Sequence, residues 1–420
     1  MLLGCIADDL TGATDLAIML TRAGMRTLQV MEVPGEAPGL DGFDAIVVAL
    51  KTRTCPVEEA VHVSLASADA LLARGAKQLF FKYCSTFDST DGGNIGPVAD
   101  ALLDRVEGGL AVVCPAFPTN KRTIYMGNLF VGEVPLAESP MKDHPLTPMR
   151  DSSLVRVLQR QTRSKVGLVP YPVVGQGAGA IVEAFTAAKA RGERFVVVDA
   201  INDADLMAIG TAASGHRLIT GGSGVALGLP ANFIAAGLMR AVAAPTTMQA
   251  AKGRSAIIAG SCSEATRGQV AAAKAAGLPA FEVDPMAVQS GAQSGKTLAA
   301  WAQTQAPDKP VLIYSSADPA AVLRTQDQLG RDAAGALVER ALAQAATHLV
   351  ATGVTRLIVA GGETSGAVVG ALGVKALEIG PEIDPGVPWT RAVGRDLVLA
   401  LKSGNFGAPD FFVKAWRMLQ

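Results

Sequence analysis

The sequence predicts an α/β fold with two domains, each a mainly parallel sheet flanked by helices. Its 420 residues exceed what one ordinary core holds, and 49% hydrophobic against 18% charged residues can bury a large interior. Short apolar runs alternate with amphipathic stretches along the chain, which is the pattern of βαβ units. After a first strand at 2–7, the predicted strands are 45–50, 78–82, 110–114, 195–199, 255–260, 311–314, 356–360 and 397–401.

The first predicted strand runs directly into a polar turn. Asp8, Asp9 and Thr11 follow it, and apolar residues at helical spacing begin at Ala13, so Thr11 can cap the helix. Ligands of open α/β sheets bind at the carboxyl ends of the strands, so these side chains are expected to face a binding crevice. The alternative is that Asp9 or Thr11 only caps the helix and Asp8 is a solvated turn residue.

The division between the domains is expected between residues 243 and 250, where an Ala-rich helical stretch ends before the strand at 255. Residues 1–243 then form one domain and 250–420 the other.

Residues 118–154 show neither the helical nor the strand periodicity of hydrophobic residues, which predicts an ordered binding loop or lid. The Gly-Gly-Ser-Gly turn at 221–224 is predicted to lead into a helix near the cleft between the domains. We expect this turn to have a structural role. Residues 378–389 contain three prolines, which favours either a wall of a nucleotide site or a surface loop with a packed Trp.

Composition excludes several classes of protein. With 37 Lys and Arg against 38 Asp and Glu, the chain offers no general attraction to nucleic acid or anionic membrane. Five cysteines without a C-x-x-C pair indicate reduced, buried thiols in the cytoplasm, and four histidines lack metal-ligand spacing. The first apolar run meets Asp8 too early for a signal peptide or membrane anchor, so we expect a cytoplasmic protein.

Four polar clusters follow apolar runs in the first half of the chain. They are residues 8–11, 51–54, 82–90 and 114–122. Because parallel strands place their ends side by side, the clusters are expected to form one pocket. That pocket would set Asp8, Asp9 and Asp88 opposite Lys51, Arg53, Lys82 and Arg122. Such a set suits a small polyhydroxy acid, since Arg binds carboxylates bidentately and a carboxylate can accept a hydroxyl proton. Each cluster alone is also compatible with a helix cap or a surface ion pair.

Glycine-rich junctions dominate the second half. Gly-Ser-Cys-Ser at 260–263 and Gly-Gly-Glu-Thr at 361–364 each lie between a predicted strand and a helix, and residues 401–407 form a third such turn. Backbone N–H groups and the positive end of a helix bind anions, so phosphate is the expected ligand. Neither G-x-x-x-x-G-K-[ST] nor G-x-G-x-x-G occurs at these junctions.

These motifs together carry a resemblance that covers essentially the whole chain. They are IADDLTGATD, LKTRTCP, FKYCSTFDST with GNIGPV, PAFPTNKRTIYMGNLFVGEVPLAES, GSCSEATRGQ, GGETSGAV and LKSGNFG. In this order they resemble the four-carbon acid sugar kinase family. The resemblance implies transfer of the ATP γ-phosphoryl group to the O4 hydroxyl of a 3-oxo-tetronate. It also implies that the N-terminal domain binds the acid sugar and the C-terminal domain the nucleotide. Thr52 stands where the family pattern has Ser. It keeps the hydroxyl, but the substitution makes the resemblance less specific about which tetronate is the substrate.

The resemblance also implies residue roles. The nucleotide contacts carry over to Ser261 or Ser263, Gly361, Gly362, Glu363, Thr364 and Gly407. Mg²⁺ is expected to bridge the phosphates, with its protein ligands left open. In our hypothesis Asp9 or Asp88 accepts or orients the hydroxyl proton, Arg53 and Lys82 hold the carboxylate or oxo group, and Thr11 fixes the turn. The further substrate-binding candidates are Asp8, Lys51 and Arg122, and spacing does not decide between Asp8, Asp9 and Asp88. The active site is expected in the cleft between the domains.

Three other functions remain open. The chain could phosphorylate a tetronate without the oxo group, such as threonate or erythronate. It could be a nicotinamide-dependent oxidoreductase or an isomerase of acid sugars, which the missing dinucleotide fingerprint disfavours. It could be a two-lobed solute-binding protein, which would need export. The expected partners are an acid sugar and ATP, with no nucleic acid, no membrane and a possible homo-oligomer.

Overall fold

The computed structural model describes residues 1–35, 39–144, 146–315 and 331–420, with the backbone alone for 331–334. The chain divides into two compact units, Met1–Ala244 and Pro245–Gln420. None of the helices in these described ranges is both long and apolar enough to cross a lipid bilayer.

The N-terminal unit is built on a parallel sheet. Its strands are β1 Leu3–Ala7, β2 Thr27–Val30, β3 Ala45–Ala49, β4 Gln78–Lys82, β5 Ala111–Cys114, β6 Arg122–Tyr125, β7 Asn128–Val131, β8 Val134–Pro135, β9 Lys165–Val169, β10 Glu193–Val198 and β11 Leu218–Gly221. The main sheet has the order β2-β3-β1-β4-β11-β5-β10-β9, and its neighbours pair in parallel. Most of its central strands are buried throughout, which is why they read as continuous apolar runs.

The register of this sheet positions the polar clusters. Ala7, the last residue of β1, pairs with Ala49 of β3 and with Lys82 of β4. The segments that follow these three strands therefore begin at the same edge of the sheet.

Helices connect the strands of the N-terminal unit. They are α1 Leu10–Arg22, α2 Val57–Ala73, α3 Ile95–Arg105, α4 Leu154–Gln161, α5 Tyr171–Val174, α6 Ala178–Ala190, α7 Asp203–Ala212 and α8 Leu229–Ala235. Short 3₁₀ turns lie at Pro118–Asn120, Leu136–Glu138, Pro140–Asp143 and Ser223–Gly228. Helix α1 is capped by Asp9, whose side chain accepts the Gly12 N–H, and not by Thr11.

The prediction of an irregular loop over residues 118–154 was wrong in part, because the segment contains a sheet of its own. Strands β6, β7 and β8 form an antiparallel meander. Met126 and Gly127 join β6 to β7 with φ of 50° and 73°, the left-handed geometry of a tight hairpin turn. The Asp199 carboxylate, which follows β10, accepts both of their N–H groups at 2.5 and 2.8 Å and so stabilises that turn.

The Gly-Gly-Ser-Gly turn at 221–224 has the structural role predicted for it. A Cβ at Gly222 would lie 2.6 Å from the Pro115 carbonyl oxygen, and one at Gly224 would lie 2.5 Å from that of Ala116. Glycine at these two positions therefore lets the 3₁₀ turn pack on the segment after β5. Ser223 between them donates a hydrogen bond to Asp15 of α1.

The C-terminal unit is also built on a mainly parallel sheet. Its strands are β12 Arg254–Ala259, β13 Ala280–Glu282, β14 Val311–Tyr314, β15 Val354–Ala360, β16 Ala376–Asp384, β17 Val387–Ala392 and β18 Val398–Lys402. They have the order β13-β14-β12-β15-β18-β17-β16, in which β17 is antiparallel to both its neighbours. Its helices are α9 Glu264–Ala275, α10 Pro285–Gln289, α11 Gly295–Gln303, α12 Arg331–Ala351, α13 Gly362–Ala371 and α14 Phe411–Lys414, with a 3₁₀ turn at Ala415–Met418.

The proline-rich stretch at 378–389 is a strand hairpin and not the surface loop considered for it. Strands β16 and β17 pair across it, and the register shifts between Ile379 and Glu382, which accommodates Pro381. Trp389 is fully buried and donates its indole N–H to the Ala415 carbonyl at 2.8 Å. The hairpin is therefore part of the core of this unit.

Candidate functional site

Arg53 is the centre of the polar cluster in the N-terminal unit. Its Nε and Nη2 donate to the two oxygens of Asp8 at 2.9 and 2.8 Å, and Nη2 lies 2.9 Å from Asp9 Oδ1. Its Nη1 lies 3.7 Å from Asp88 Oδ2. Three carboxylates that the sequence placed together therefore meet one guanidinium, and this guanidinium holds them close despite their like charge.

Burial shapes the charges of this cluster. Asp8 is only 5% exposed, so it is not the solvated turn residue of the alternative interpretation. Burial raises the pKa of Asp8, and the hydrogen bonds and charge of Arg53 partly offset that effect. Burial alone would lower the pKa of Arg53, but the hydrogen bonds and charge of Asp8 raise it, so the guanidinium stays charged.

Asp9 has a structural contact in addition to the ion pair. Its Oδ1 accepts the Gly12 N–H at 2.9 Å and also meets Arg53 Nη2. A Cβ at position 12 would overlap that oxygen and lie 3.0 Å from Lys82 Nζ, so glycine is needed here. Oδ1 of Asp9 thus serves as the cap of α1.

Asp88 keeps one oxygen open. Its Oδ1 accepts the Thr86 hydroxyl at 2.5 Å, and the Thr86 oxygen lies 3.0 Å from Cys84 Sγ. Among the residues described, Arg53 at 3.7 Å is the one polar contact of its Oδ2, and this distance is longer than a hydrogen bond. Burial raises the pKa of the Cys84 thiol, which disfavours a thiolate beside it.

Lys82 lies beneath the first turn of α1. It is buried, and its Nζ donates to the Tyr83 carbonyl at 2.6 Å. Its charge acts on both Asp8 and Asp15. Asp15, which the sequence analysis did not select, is a half-buried residue; burial of its carboxylate raises its pKa, with Lys82 and the Ser223 hydroxyl opposing that shift.

The other predicted substrate residues are placed less centrally. Lys51 is exposed directly after β3, and Thr11 is exposed in the first turn of α1. Arg122 donates through Nη1 to the Asn120 carbonyl of its own loop, and its buried Nε has no hydrogen-bond partner among the described residues. The contacts of Arg122 thus do not join it to the carboxylates around Arg53.

A cavity of about 460 Å³ begins at Ser89, the residue after Asp88. Residues 89–92 form one side, residues 148–151 another, and Val157 and Arg160 of α4 complete the lining. Arg160 forms ion pairs with Asp91 and Asp151. The cavity is therefore polar and has ample room for a four-carbon acid.

The glycine-rich junctions of the C-terminal unit contact one another. Ser263 caps α9 and its hydroxyl donates to the Gly404 carbonyl at 2.7 Å, while the Ser261 hydroxyl lies 3.2 Å from that of Ser263. A Cβ at Gly404 would overlap Ser261 Oγ and lie 3.0 Å from Ser263 Oγ. The first and third junctions are thus packed together, and glycine at 404 is required for it.

The second junction lies beside the first. Gly361 has φ of 130°, and a Cβ there would lie 2.9 Å from Thr364 Oγ1 and 3.2 Å from the Ser261 nitrogen. Thr364 is buried, whereas Gly362 and Glu363 are exposed at the start of α13. Two helices of the unit therefore begin next to one another, which is the arrangement that binds phosphate.

Two buried side chains that the sequence analysis missed hold the third junction. Gln269 of α9 donates through Nε2 to the carbonyls of Phe406, Gly407 and Ala408 at 2.9–3.1 Å. Lys402, at the end of β18, places Nζ 2.9 Å from Thr266 Oγ1 and 3.0 Å from the Gly404 carbonyl. Both residues lie in motifs quoted above, GSCSEATRGQ and LKSGNFG, but only the pairing of distant segments reveals these contacts.

Two family models match the chain in this order. A sugar-binding N-terminal domain matches residues 3–229 and a nucleotide-binding C-terminal domain matches residues 256–412. The chain belongs to the four-carbon acid sugar kinase family. Members of this family transfer phosphate to a hydroxyl group, so the chain is a phosphotransferase.

Relatives in this kinase family match the chain over its whole length. The 3-oxo-tetronate kinase of Burkholderia multivorans is 55% identical over 419 residues, covering 100% of this chain and 97% of the relative. That of Cupriavidus necator is 53% identical, with the same coverage. The crystal structure of Haemophilus influenzae protein HI1011 superposes with a TM-score of 0.91 at 42% identity and 99% coverage of both chains, which confirms the α/β fold.

A resident metal centre is not built into the described residues. Within them, no group of three or more His, Cys, Asp or Glu side chains is placed to bind a metal ion.

Proposed function

We propose that this chain is an ATP-dependent kinase that phosphorylates the O4 hydroxyl of 3-oxo-tetronate to give the 4-phosphate. The observation that carries the proposal is the match of 55% and 53% over the full chain to two proteins named 3-oxo-tetronate kinase. ATP and Mg²⁺ are the proposed cosubstrate and cofactor, and the cytoplasm is the proposed location.

The two units have different proposed roles. Residues 1–243 bind the acid sugar and residues 250–420 bind the nucleotide. The descriptions of the two matching family models support this division. The polar chemistry supports it too, since the carboxylate cluster lies in the first unit and the packed glycine junctions lie in the second.

The acid sugar is proposed to bind between Arg53 and Asp88. Arg53 Nη1 and Asp88 Oδ2 lie 3.7 Å apart, and each has hydrogen-bonding capacity that the other does not fill. A substrate hydroxyl that contacts both groups can accept a hydrogen bond from the Arg53 guanidinium and donate one to the Asp88 carboxylate. Asp8 is proposed to act through Arg53, because its bidentate contact fixes the plane of the guanidinium. Lys82 contributes positive charge beneath this site, while Thr11, Lys51 and Arg122 stay candidates for outer contacts.

Asp88 is the proposed general base. Both carboxylates use Oδ1 for protein contacts, Asp9 as the cap of α1 and Asp88 with the Thr86 hydroxyl. Asp88 is chosen because it directly precedes the cavity that begins at Ser89, whereas Asp9 also anchors the first turn of α1. The base accepts the O4 proton as the oxygen attacks the γ-phosphorus and the bond to the ADP oxygen breaks. Asp9 is then a residue that orients Arg53 and the first turn of α1.

The nucleotide is proposed to bind at the three glycine junctions. Gly361, Gly362 and Gly407 let the backbone approach the phosphates, and the starts of α9 and α13 direct N–H groups at them. The hydroxyls of Ser261, Ser263 and Thr364 add donors, and Glu363 is exposed where it can meet the ribose or a hydrated metal ion. Mg²⁺ bound by the phosphates would neutralise charge that develops on the transferred group.

The proposal is tested by measuring ADP formation from ATP and Mg²⁺ with a panel of four-carbon acids. We expect turnover with 3-oxo-tetronate and much less with threonate or erythronate. Turnover with threonate or erythronate alone would move the chain to the kinase of a non-oxo tetronate. Incubation of the same acids with NADH, followed by absorbance, tests the oxidoreductase alternative, and cofactor oxidation without ADP release would overturn the kinase.

A further inference from the structure

Lys402 is a buried lysine whose hydrogen-bond partners, within the part of the chain that the structure describes, are neutral oxygens. The residue is 2% exposed, and its Nζ lies 2.9 Å from Thr266 Oγ1, 3.2 Å from the Ser403 carbonyl and 3.0 Å from the Gly404 carbonyl. An ammonium has three N–H donors, so these three acceptors satisfy its charged form. Buried lysines are usually paired with a carboxylate, and among the described residues Lys402 has no such partner.

The surroundings of Lys402 add positive charge. Thr266 lies in the first turn of α9, whose N-terminus carries a partial positive charge. The charged side chains on the elements packed around it are Glu264, Arg267 and Lys274 of α9, Arg356 of β15, Arg391 of β17, Glu363 of α13, and Asp384 with Lys414, which pair with each other. None of these makes a hydrogen bond or an ion pair with Lys402 among the described residues. Burial lowers the pKa of Lys402 to about 8.

The Gly404 carbonyl has more donors than it can use. Ser263 Oγ at 2.7 Å, Thr266 Oγ1 at 2.9 Å and Lys402 Nζ at 3.0 Å all converge on this one oxygen. A carbonyl oxygen has two lone pairs, so one of these donors is surplus. Lys402 and Thr266 contact each other, and the Thr266 N–H keeps Ser263 Oγ in place as the cap of α9. The Ser263 hydroxyl proton is therefore the one that a phosphate oxygen can redirect.

We propose that Lys402 is a positioning residue of the nucleotide site, selective for the polyphosphate group of a nucleoside di- or triphosphate. Its ammonium holds the Gly404 carbonyl, which frees the Ser263 hydroxyl to donate to a phosphate oxygen, and it supplies positive charge that the phosphates balance. This inference rests on the proposed nucleotide-binding role of the C-terminal unit.

The inference separates Lys402 from a residue with only a packing role. A packing residue would stabilise the fold in the absence of ligand and leave nucleotide affinity unchanged. A buried cation without a counterion instead costs stability until an anion arrives. Replacement of Lys402 by an apolar side chain of similar length is then expected to retain the fold and to weaken nucleotide binding.

The experiment measures the dissociation constant of ADP by calorimetry for the full chain and for Lys402→Met. We expect the constant to rise about tenfold to a hundredfold in the variant, as for loss of hydrogen bonds to a charged group. The KM for the acid substrate should stay within about twofold, because Lys402 lies in the C-terminal unit and the acid is proposed to bind to the N-terminal unit. Lys309→Met is the matched control, since Lys309 is exposed just before β14 and far in sequence from the junctions.

The pH dependence provides a second readout that does not need the variant to fold. Anion binding favours the charged lysine, so the affinity of the unmodified chain for ADP should fall as the pH rises from 7.5 through 8 to 9.5. The affinity of Lys402→Met should be flat over the same range. Unchanged ADP affinity in Lys402→Met, or a flat profile in the unmodified chain, would overturn the inference. No ADP binding by the unmodified chain would instead overturn the proposed function itself.

Discussion

In the N-terminal unit one cation meets three carboxylates, whereas in the C-terminal unit one cation meets none. Arg53 contacts Asp8, Asp9 and Asp88, so its single positive charge is fully compensated within the protein. Lys402 contacts a hydroxyl and two carbonyls. The first arrangement suits a ligand recognised by hydroxyl geometry and proton transfer, and the second suits a polyanion. The difference in charge compensation thus agrees with an acid sugar in one unit and a nucleotide in the other.

The largest effect is expected from removing the open carboxylate of the first unit. Asp88→Asn should lower kcat by about 10²- to 10⁴-fold, because an amide cannot accept the O4 proton. Asp9→Asn is the matched control, since Asn caps helices as well as Asp does and should lower kcat far less. Steady-state kinetics with an intact circular-dichroism spectrum checks both. If Asp9→Asn lost more than Asp88→Asn, the assignment of the base would be reversed.

Removing Arg53 from its cluster of carboxylates is expected to lower the free energy of unfolding. Arg53→Ala should lower the free energy of unfolding by about 3–5 kcal/mol, because it leaves the buried carboxylate of Asp8 without a partner. Arg105→Ala removes the ion pair with Asp69, both of whose side chains are about half exposed, and should cost less than about 1 kcal/mol. Urea unfolding measures the two. Equal small losses would show that Arg53 is not needed to hold the carboxylates.

The third test adds a methyl group at Gly404, in the glycine junction that Lys402 contacts. Gly404→Ala places a Cβ against Ser261 Oγ and Ser263 Oγ, and overpacking of this kind costs about 1–3 kcal/mol. We expect a KM for ATP raised about tenfold, with the KM for the acid unchanged. Gly268→Ala in α9 has open space around its Cβ and should leave both constants unchanged. Nucleotide kinetics unaffected by Gly404→Ala would contradict a phosphate site at these junctions.

The smallest effect is a pH dependence of stability. The pKa of Lys402 is about 8 in the folded chain and about 10.4 in an unfolded one, so the folded state binds fewer protons between these values. Stability from this group therefore rises with pH from about 8 to 10.4. Unfolding of the nucleotide-free chain at pH 7.5 and 9.5 should show a rise of about 1–2 kcal/mol relative to Lys402→Met. If the difference in stability between the unmodified chain and Lys402→Met did not change with pH, burial would not lower the pKa of Lys402.

Much of the fold could be predicted because apolar runs mark buried parallel strands. The strand at 78–82 agrees with β4, and that at 311–314 agrees with β14. Strands β2, β9 and β11 were missed, since each of them includes at least one polar residue and their apolar runs are short. The hairpin of β16 and β17 was missed because Pro381 and Pro388 argue against strands, and a register shift in the paired structure accommodates the first of them.

The candidate site could be predicted only in part. The common ends of β1, β3 and β4 follow from parallel pairing, so the meeting of Asp8, Arg53 and Asp88 was foreseeable. The role of Asp9 as the cap and the isolation of Arg122 depend on side-chain rotamers that spacing does not determine. Lys402 and Gln269 act across more than 130 residues of sequence, which no local pattern reveals.

The central claim is most directly tested by phosphorus NMR of the reaction mixture. With the chain, ATP, Mg²⁺ and 3-oxo-tetronate, we predict a new phosphomonoester signal that couples to the two protons on C4 and grows as ADP appears. Omitting either the chain or the acid should abolish it. ADP and inorganic phosphate without an organic phosphoester, or an ester formed at a carbon other than C4, would contradict the account.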